Sequence, residues 1–273
     1  MPLSNANTSV LCPLNDAESF TIVKIAKRLA FDTRVSGQNS WFCPLNTEPL
    51  HTFQSLKENV ILVEMPGEKE EKQLEKEHNI FIVDHHDYPS IGIKRDNPES
   101  SLEQFAVLVG YNLTKAEQAV AVNDQRYIYG LNEAGYSKEE IRDVRKLDLA
   151  LQGYTDEEFT ALEKNLGTRK ILKNGTYVYE SSVVQKYTYL LDLHVLHMDC
   201  QFSNVLVRGQ GDNDKGEFLF FSGDNALITE LKKLGGFSKR SCEKYGLWGG
   251  YEAGVEKVDI RKAFDIIENF DYK

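Results

Sequence analysis

The sequence predicts a two-domain α/β protein. A mostly parallel-sheet α/β domain is expected over residues 1–166, a linker at 167–175, and a smaller α+β domain over 176–273. Three observations predict it. Short apolar runs alternate with helix-forming segments through the first part, the rhythm of βα units. Several of those runs stop at an acid or a histidine. Beyond residue 175 the pattern changes to closely spaced short runs rich in Tyr, Val and Phe, broken by glycines.

Residues 9–12 form a short apolar strand, followed by a polar loop holding Asp16 and Glu18. Residues 20–30 have helical spacing, with Lys24, Lys27 and Arg28 on one side. Helix capping and dipole placement account for one of the two acids. Residues 32–53 lack a clear period and are expected to hold a short strand near Trp41. Residues 60–63 are a buried strand that ends at Glu64, before the turn Met65-Pro66-Gly67. Residues 68–78 read as a solvated helix. Then Ile80-Phe81-Ile82-Val83 runs into Asp84-His85-His86. An apolar run of this length suits a central strand of a parallel sheet, and ligands gather at the carboxyl ends of such strands.

After one more short extended stretch at 91–97, Ser100 or Ser101 can cap a helix. A free helix N-terminus there could receive phosphate, although capping by serine is the commoner reason for such a pattern. A second helix begins at Lys115, and the apolar run 119–122 leads to Asp124. Residues 137–165 are helical, with capping-box patterns beginning at Ser137 and Thr155. In the second domain, residues 176–180, 187–195, 204–207 and 218–221 read as strands, with 209–216 a hairpin or exposed loop. A short helix is expected at 226–231, a glycine-rich loop at 246–254, and an amphipathic helix at 258–270.

Composition bounds the function. The chain of 273 residues has a formal net charge of −10 and a pI near 5.2. Tight binding to long nucleic acid needs a basic footprint, so it is not expected; a short oligonucleotide or nucleotide held at a metal is compatible. Cys12, Cys43, Cys200 and Cys242 form no C-x-x-C pair, which argues against a zinc ribbon or redox motif. The small, polar start and the lack of a membrane-length apolar run give the expectation of a soluble, cytoplasmic protein.

Asp16 with Glu18, Glu64, Asp84-His85-His86 and Asp124 thus follow successive apolar runs, and in a parallel sheet such ends converge on one edge. Carboxylates with imidazole suit Mn²⁺, and carboxylates with water suit Mg²⁺. Two ions sharing a carboxylate could activate water and stabilise the entering and leaving oxygens at phosphorus.

The ordered set resembles the DHH phosphoesterase superfamily, named for the triplet present here as Asp84-His85-His86. The Asp-x-Asp of its first motif is similar to Asp16-Ala17-Glu18, the acid of its second motif to Glu64, and that of its fourth to Asp124. Members with a DHHA1-type second domain carry a GGH-x-x-A-x-G loop, and Gly249-Gly250-Tyr251-Glu252-Ala253-Gly254 is similar. The resemblance implies a Mn²⁺-dependent phosphohydrolase acting on a small nucleotide or short oligonucleotide, with Mg²⁺ as the alternative ion. By that resemblance Glu64 bridges the metals, Glu18, His85 and Asp124 complete one ion's shell, and Asp16 serves the other. Asp84 orients ligands, and His86 contacts the substrate phosphate or assists proton transfer. Gly249, Gly250, Tyr251 and Arg240 are the implied substrate contacts.

The departures are specific. Leu14 stands where the family places a metal-binding histidine, Glu18 and Glu64 replace aspartates, and Tyr251 replaces the histidine of the late loop. They leave open one ion or two, a ligand supplied from 32–53, or a catalytically degenerate protein that binds a nucleotide or another protein. His194 and His197, read on a strand, face opposite sides and are expected to be packing or surface groups.

Overall fold

The computed structural model describes residues 2–38, 42–88, 91–95, 97–184, 186–198, 203–212, 214–240, 244–254 and 256–272. The strand expected near Trp41 lies outside the described residues, as do Cys200 and Cys242. The chain forms two compact units. The first comprises Met1–Gln125 with Lys146–Gln152, and the second Arg126–Arg145 with Gly153–Lys273. Among the described residues, no helix is long and apolar enough to cross a membrane.

The first unit is built on four parallel strands, β1 (Thr8–Cys12), β2 (Asp32–Val35), β3 (Asn59–Val63) and β4 (Asn79–Val83), in the order β2-β1-β3-β4. β1 and β3 are central and buried throughout, which is why they read as continuous apolar runs. Leu11, Val60 and Leu62 pack with Leu45 and Met65 into one apolar cluster. Helix α1 (Ala17–Arg28) closes the first βα unit, and its Ile22, Val23, Ile25 and Ala26 are buried. Helix α2 (Glu68–Leu74) connects β3 to β4; β5 (Asp87–Tyr88) and β6 (Ile93–Lys94) form a small antiparallel pair, and α3 (Ser101–Val109) follows.

One expectation fails here. The run Ile80-Phe81-Ile82-Val83 is not a central strand. β4 is the edge of the described sheet, and Ile82 is 36% exposed. A short apolar run states that a strand is hydrophobic, not how many neighbours it has. Its carboxyl end nonetheless carries Asp84-His85-His86 to the same rim as the ends of β1 and β3.

Asp124 also reaches the site differently from the expectation. It lies on helix α4 (Lys115–Glu133), not after a strand. The backbone of α4 leaves helical geometry at Tyr127, with φ 60° and ψ −160°. Helix α5 (Lys138–Leu151) follows, and its last residues belong to the first unit.

The second unit carries α6 (Asp156–Asn165), whose N-terminus is closed by the Thr155–Glu158 capping box. Its sheet contains β7 (Lys170–Ile171), β8 (Tyr177–Glu180), β9 (Val205–Gln210), β10 (Glu217–Asp224), β11 (Phe237–Arg240) and β12 (Tyr245–Tyr251). The order is β11-β12-β10-β9-β8-β7, antiparallel except for the β8–β9 pair. Residues 167–175, expected as a linker, thus contain β7. Helices α8 (Asn225–Lys232) and α9 (Ile260–Asn269) cover an apolar cluster around Leu206, Leu219, Phe221 and Trp248.

Two segments differ from their sequence reading. Residues 187–195 were expected as a strand, but helix α7 spans Thr188–Met198. Tyr189, Leu190, Leu191, Asp192, Leu193, His194, Val195 and Leu196 are all buried. A helix buried all round has no polar face, so its 3.6-residue period is invisible. The glycine-rich loop expected at 246–254 is for the most part strand β12. A Cβ on Gly249 would lie 2.3 Å from Phe237 Cζ, and one on Gly250 2.6 Å from Val258 Cγ2. The glycines are there because neighbouring side chains occupy the space above the strand.

Candidate metal centre

The centre is assembled from the ends of β1, β3 and β4 and from α4, all within the first unit. At the end of β1, Asp16 caps α1: its Oδ1 accepts from Ser19 N–H and from Ser19 Oγ–H, each at 2.8 Å, completing a capping box. In the first turn of that helix, Glu18 is 1% exposed. Its Oε1 accepts the Leu102 N–H at 2.9 Å. The N-terminus of α3 is therefore served by Glu18 and by Ser100, whose Oγ accepts the Glu103 N–H. The Leu102 and Glu103 amides there already have protein partners.

Glu64 ends β3 in the left-handed region, with φ 49°. A non-glycine residue there is uncommon and is over-represented at functional sites. The Asp84-His85-His86 turn is set by Asp84, which is 4% exposed. Its Oδ1 accepts the His86 N–H at 2.9 Å and the Tyr88 hydroxyl at 3.3 Å. A carboxylate bonding the amide two residues on is an Asx-type turn, and it swings the two imidazoles toward the cluster. Gln104 holds the same turn from α3: its Oε1 accepts the Asp84 N–H, and its Nε2 donates to the Asp84 carbonyl, both at 3.3 Å. Arg95 donates to Glu71 at 2.5 Å, and its Nε stands 3.8 Å from Asp84 Oδ2.

His85 is the hub. Its Nε2 lies 2.6 Å from Asp124 Oδ2, 3.7 Å from Glu64 Oε1 and 3.8 Å from Glu18 Oε2. His86 Nδ1 is 3.4 Å from Glu64 Oε1. Two sets of ligand atoms result, Glu64-His85-His86 and Glu18-His85-Asp124, each with all atoms within 4.8 Å of one another. Of the residues expected as ligands, Glu18, Glu64, His85 and Asp124 are brought together here. His86, expected at the substrate, also lies among these atoms, and His85 belongs to both sets while Glu64 belongs to one. Gln104 and Arg95 belong to no motif, and no sequence signal marked them. Asp16 stands outside both sets, engaged as the cap of α1.

The electrostatics follow from burying acids together. Burial first, then the Asp124 and Glu64 charges, holds the Glu18 carboxyl well above the ordinary range. Burial, with Asp16 and Asp124 next, does the same to Glu64. Burial and the Asp124 charge push Asp16 up to about 6, against the Ser19 N–H that lowers it. Burial and the neighbouring acids also push the Cys12 thiol up, so it is a neutral packing group. Glu18 Oε2, Glu64 Oε1 and His85 Nε2 are buried and make no hydrogen bond. Buried charged groups are ordinarily paired or bound to a metal. Ligand atoms about 2.0–2.2 Å from one ion lie roughly 3–4 Å from each other; His85 Nε2 to Glu64 and Glu18 and His86 Nδ1 to Glu64 are in that range, and Asp124 stands nearer to His85. The residues fit a divalent cation with mixed oxygen and nitrogen ligation.

In the second unit, Gly249, Gly250 and Tyr251 lie on β12 and Arg240 ends β11. Tyr251 is 4% exposed, with Lys215 Nζ 4.7 Å from its ring centroid. The Arg240 side chain lies outside what the structure describes. His194 and His197 are on α7 and not on a strand. His194 is a buried packing group, its Nδ1 2.7 Å from Tyr179 Oη and its Nε2 2.6 Å from Ser203 Oγ.

No protein-family model and no curated protein matches the chain. Among solved structures, it is similar to exonuclease RecJ bound to manganese, at 10% identity and a TM-score of 0.41, over 95% of this chain and 88% of that one. It is also similar to PggH, a pGpG-specific phosphodiesterase from Vibrio cholerae, at 13% identity and a TM-score of 0.41, over 96% of each chain. Both are DHH-superfamily proteins. A TM-score of 0.41 is too low for function to be carried over, so the chemistry is read from the residues themselves.

Proposed function

We propose that the protein is a divalent-cation-dependent phosphoesterase of the DHH type, hydrolysing a phosphodiester or phosphomonoester of a small nucleotide or short oligonucleotide. One observation carries the proposal. Glu18, Glu64, His85, His86 and Asp124, from four separate segments, converge in one buried cluster in which several ligand atoms make no hydrogen bond. Such a cluster is costly to bury without a cation.

Mn²⁺ suits this mixture of carboxylate and imidazole, with Mg²⁺ the alternative. When bound, the ion would polarise a phosphoryl oxygen and make water more acidic. The protein's own residues do the rest. His85 and Glu64 would hold the ion, with Glu18 and Asp124 on one side and His86 on the other. Asp84 keeps both histidines aimed through its bond to the His86 amide and is a positioning residue. Asp16 would adjoin the ion without ligating through the oxygen that caps α1.

A second reading is a degenerate member that binds a nucleotide or a protein without turning it over. It is favoured by Leu14, 42% exposed where a histidine would ligate, and by the engagement of Asp16 as a cap. Incubation with Mn²⁺ and a panel of short RNAs, cyclic dinucleotides, phosphoadenosine phosphate and pyrophosphate separates the two. Turnover lost on His85→Ala, with Mn²⁺ affinity reduced about a hundredfold or more, is the expected result. Mn²⁺ binding without turnover of any substrate would favour the second reading, and no Mn²⁺ binding would remove the first.

A further inference from the structure

We propose that Asp148, which belongs to no motif in the chain, is a positioning residue that ties together the two arms of the candidate metal centre. The proposal rests on the metal-dependent reading above. Asp148 lies on α5, within the Lys146–Gln152 segment that belongs to the first unit, and is 7% exposed. Its Oδ1 accepts the Ala17 N–H at 3.2 Å, and its Oδ2 accepts from Asn123 Nδ2 at 3.2 Å.

Those two partners are the reason for the assignment. Ala17 stands between Asp16 and Glu18, at the first position of α1. Asn123 precedes Asp124 on α4. One buried carboxylate therefore bridges the two segments that bring Glu18 and Asp124 to His85. The Ala17 N–H is one of the amides that an α-helix leaves without an internal partner, and a negative group there also suits the helix dipole. Without Asp148, that amide and the Asn123 side chain would each lose a buried acceptor, and α1 and α4 would lose their common anchor.

Asp148 is not a ligand on this geometry. It belongs to neither set of converging ligand atoms, and each of its oxygens faces an N–H donor. A carboxylate is needed because two donors approach two different oxygens. An asparagine can accept on one side only and would turn its own amide toward Asn123. Placing one more acid beside an acidic cluster is electrostatically unfavourable. Its presence is accounted for by the geometry it imposes on the cluster.

The test uses the full chain and Mn²⁺ alone. Affinity is measured by calorimetry for wild type, Asp148→Asn and Asp148→Ala, beside the metal-free urea midpoint of each. The expected result is a loss of Mn²⁺ affinity of about 10- to 100-fold in Asp148→Asn, with its metal-free midpoint close to wild type. The Ala17 amide and Asn123 side-chain NMR signals are expected to shift with it. If Asp148→Ala does not fold, the near-isosteric Asp148→Asn still decides the matter. A variant binding Mn²⁺ within twofold of wild type would overturn this assignment and leave the metal site standing. Failure of wild type itself to bind Mn²⁺ would overturn the metal-dependent reading and this assignment with it, and the wild-type titration alone identifies that case.

Discussion

Each unit buries charge, but in opposite ways. In the second unit, Arg145 and Asp192 are 1% and 0% exposed and meet at 2.9 Å, with the Arg145 guanidinium 3.8 Å above the Tyr127 ring. There a positive group and a negative group cancel inside the protein. In the first unit, Glu18, Glu64 and Asp16, acids of like sign, are buried together beside two imidazoles. Opposite charges in contact are a structural solution to burying polar groups. Like charges in contact call for a cation from outside. Burial of charge alone is common to both units; the sign of the partner is what differs.

The largest expected effect breaks the balanced pair. Arg145→Met leaves the Asp192 carboxylate buried without its counter-charge and should cost about 3–5 kcal/mol in urea unfolding. Mn²⁺ affinity of the folded protein should be unaffected. A cost below about 1 kcal/mol would mean that Asp192 is not held charged by Arg145.

A smaller effect concerns the buried imidazole of the same unit. Burial, with the Arg169 charge, lowers His194 to about 4 from an ordinary value near 6.5. A histidine with a depressed value is neutral when folded and takes up a proton more readily when unfolded. Its contribution is therefore fully present above about 6.5 and is lost as pH falls through 4. The ceiling is about 3 kcal/mol. Unfolding followed from pH 7.5 to 4 should show the loss, and His194→Gln should reduce it. An unchanged pH profile in the variant would assign the loss to other groups.

The smallest effect sharpens the contrast by running the opposite way. Glu64→Gln removes a charge that its neighbours oppose. It should stabilise the metal-free protein by about 1 kcal/mol, as relief of an active-site conflict commonly does, while abolishing the stabilisation that Mn²⁺ gives wild type. Thermal melts with and without Mn²⁺ measure both. Destabilisation of the metal-free form would show that Glu64 is already compensated.

The two units were also unequally legible. In the first, β1 and β3 are apolar because they are buried on both faces, and the polar residues at their ends could be read directly. The triplet was legible because β4, although an edge, is also an apolar run that stops at polar residues. Helix α7 was not, because a helix without a solvent face resembles an apolar strand. β12 was hidden by its glycines, which break the alternation of a strand although the rings and branched side chains above them make the strand possible. Gln104, Arg95 and Asp148 were invisible because they act on residues about 11 to 131 positions away, and no local pattern encodes such a partner.

By itself, the sequence determined the α/β class, the order of the acids and histidines, and the strand ends at which Glu64 and Asp84-His85-His86 stand. These depend on local hydrophobic runs and their interruptions, which neighbours in the chain suffice to specify. Only the tertiary structure decided that β4 is an edge of the described sheet, that Asp124 comes from a helix, that His85 belongs to both candidate sets, and that one Asp16 oxygen caps α1. Each of those depends on which distant group occupies the space beside a residue, and that is settled when the elements pack.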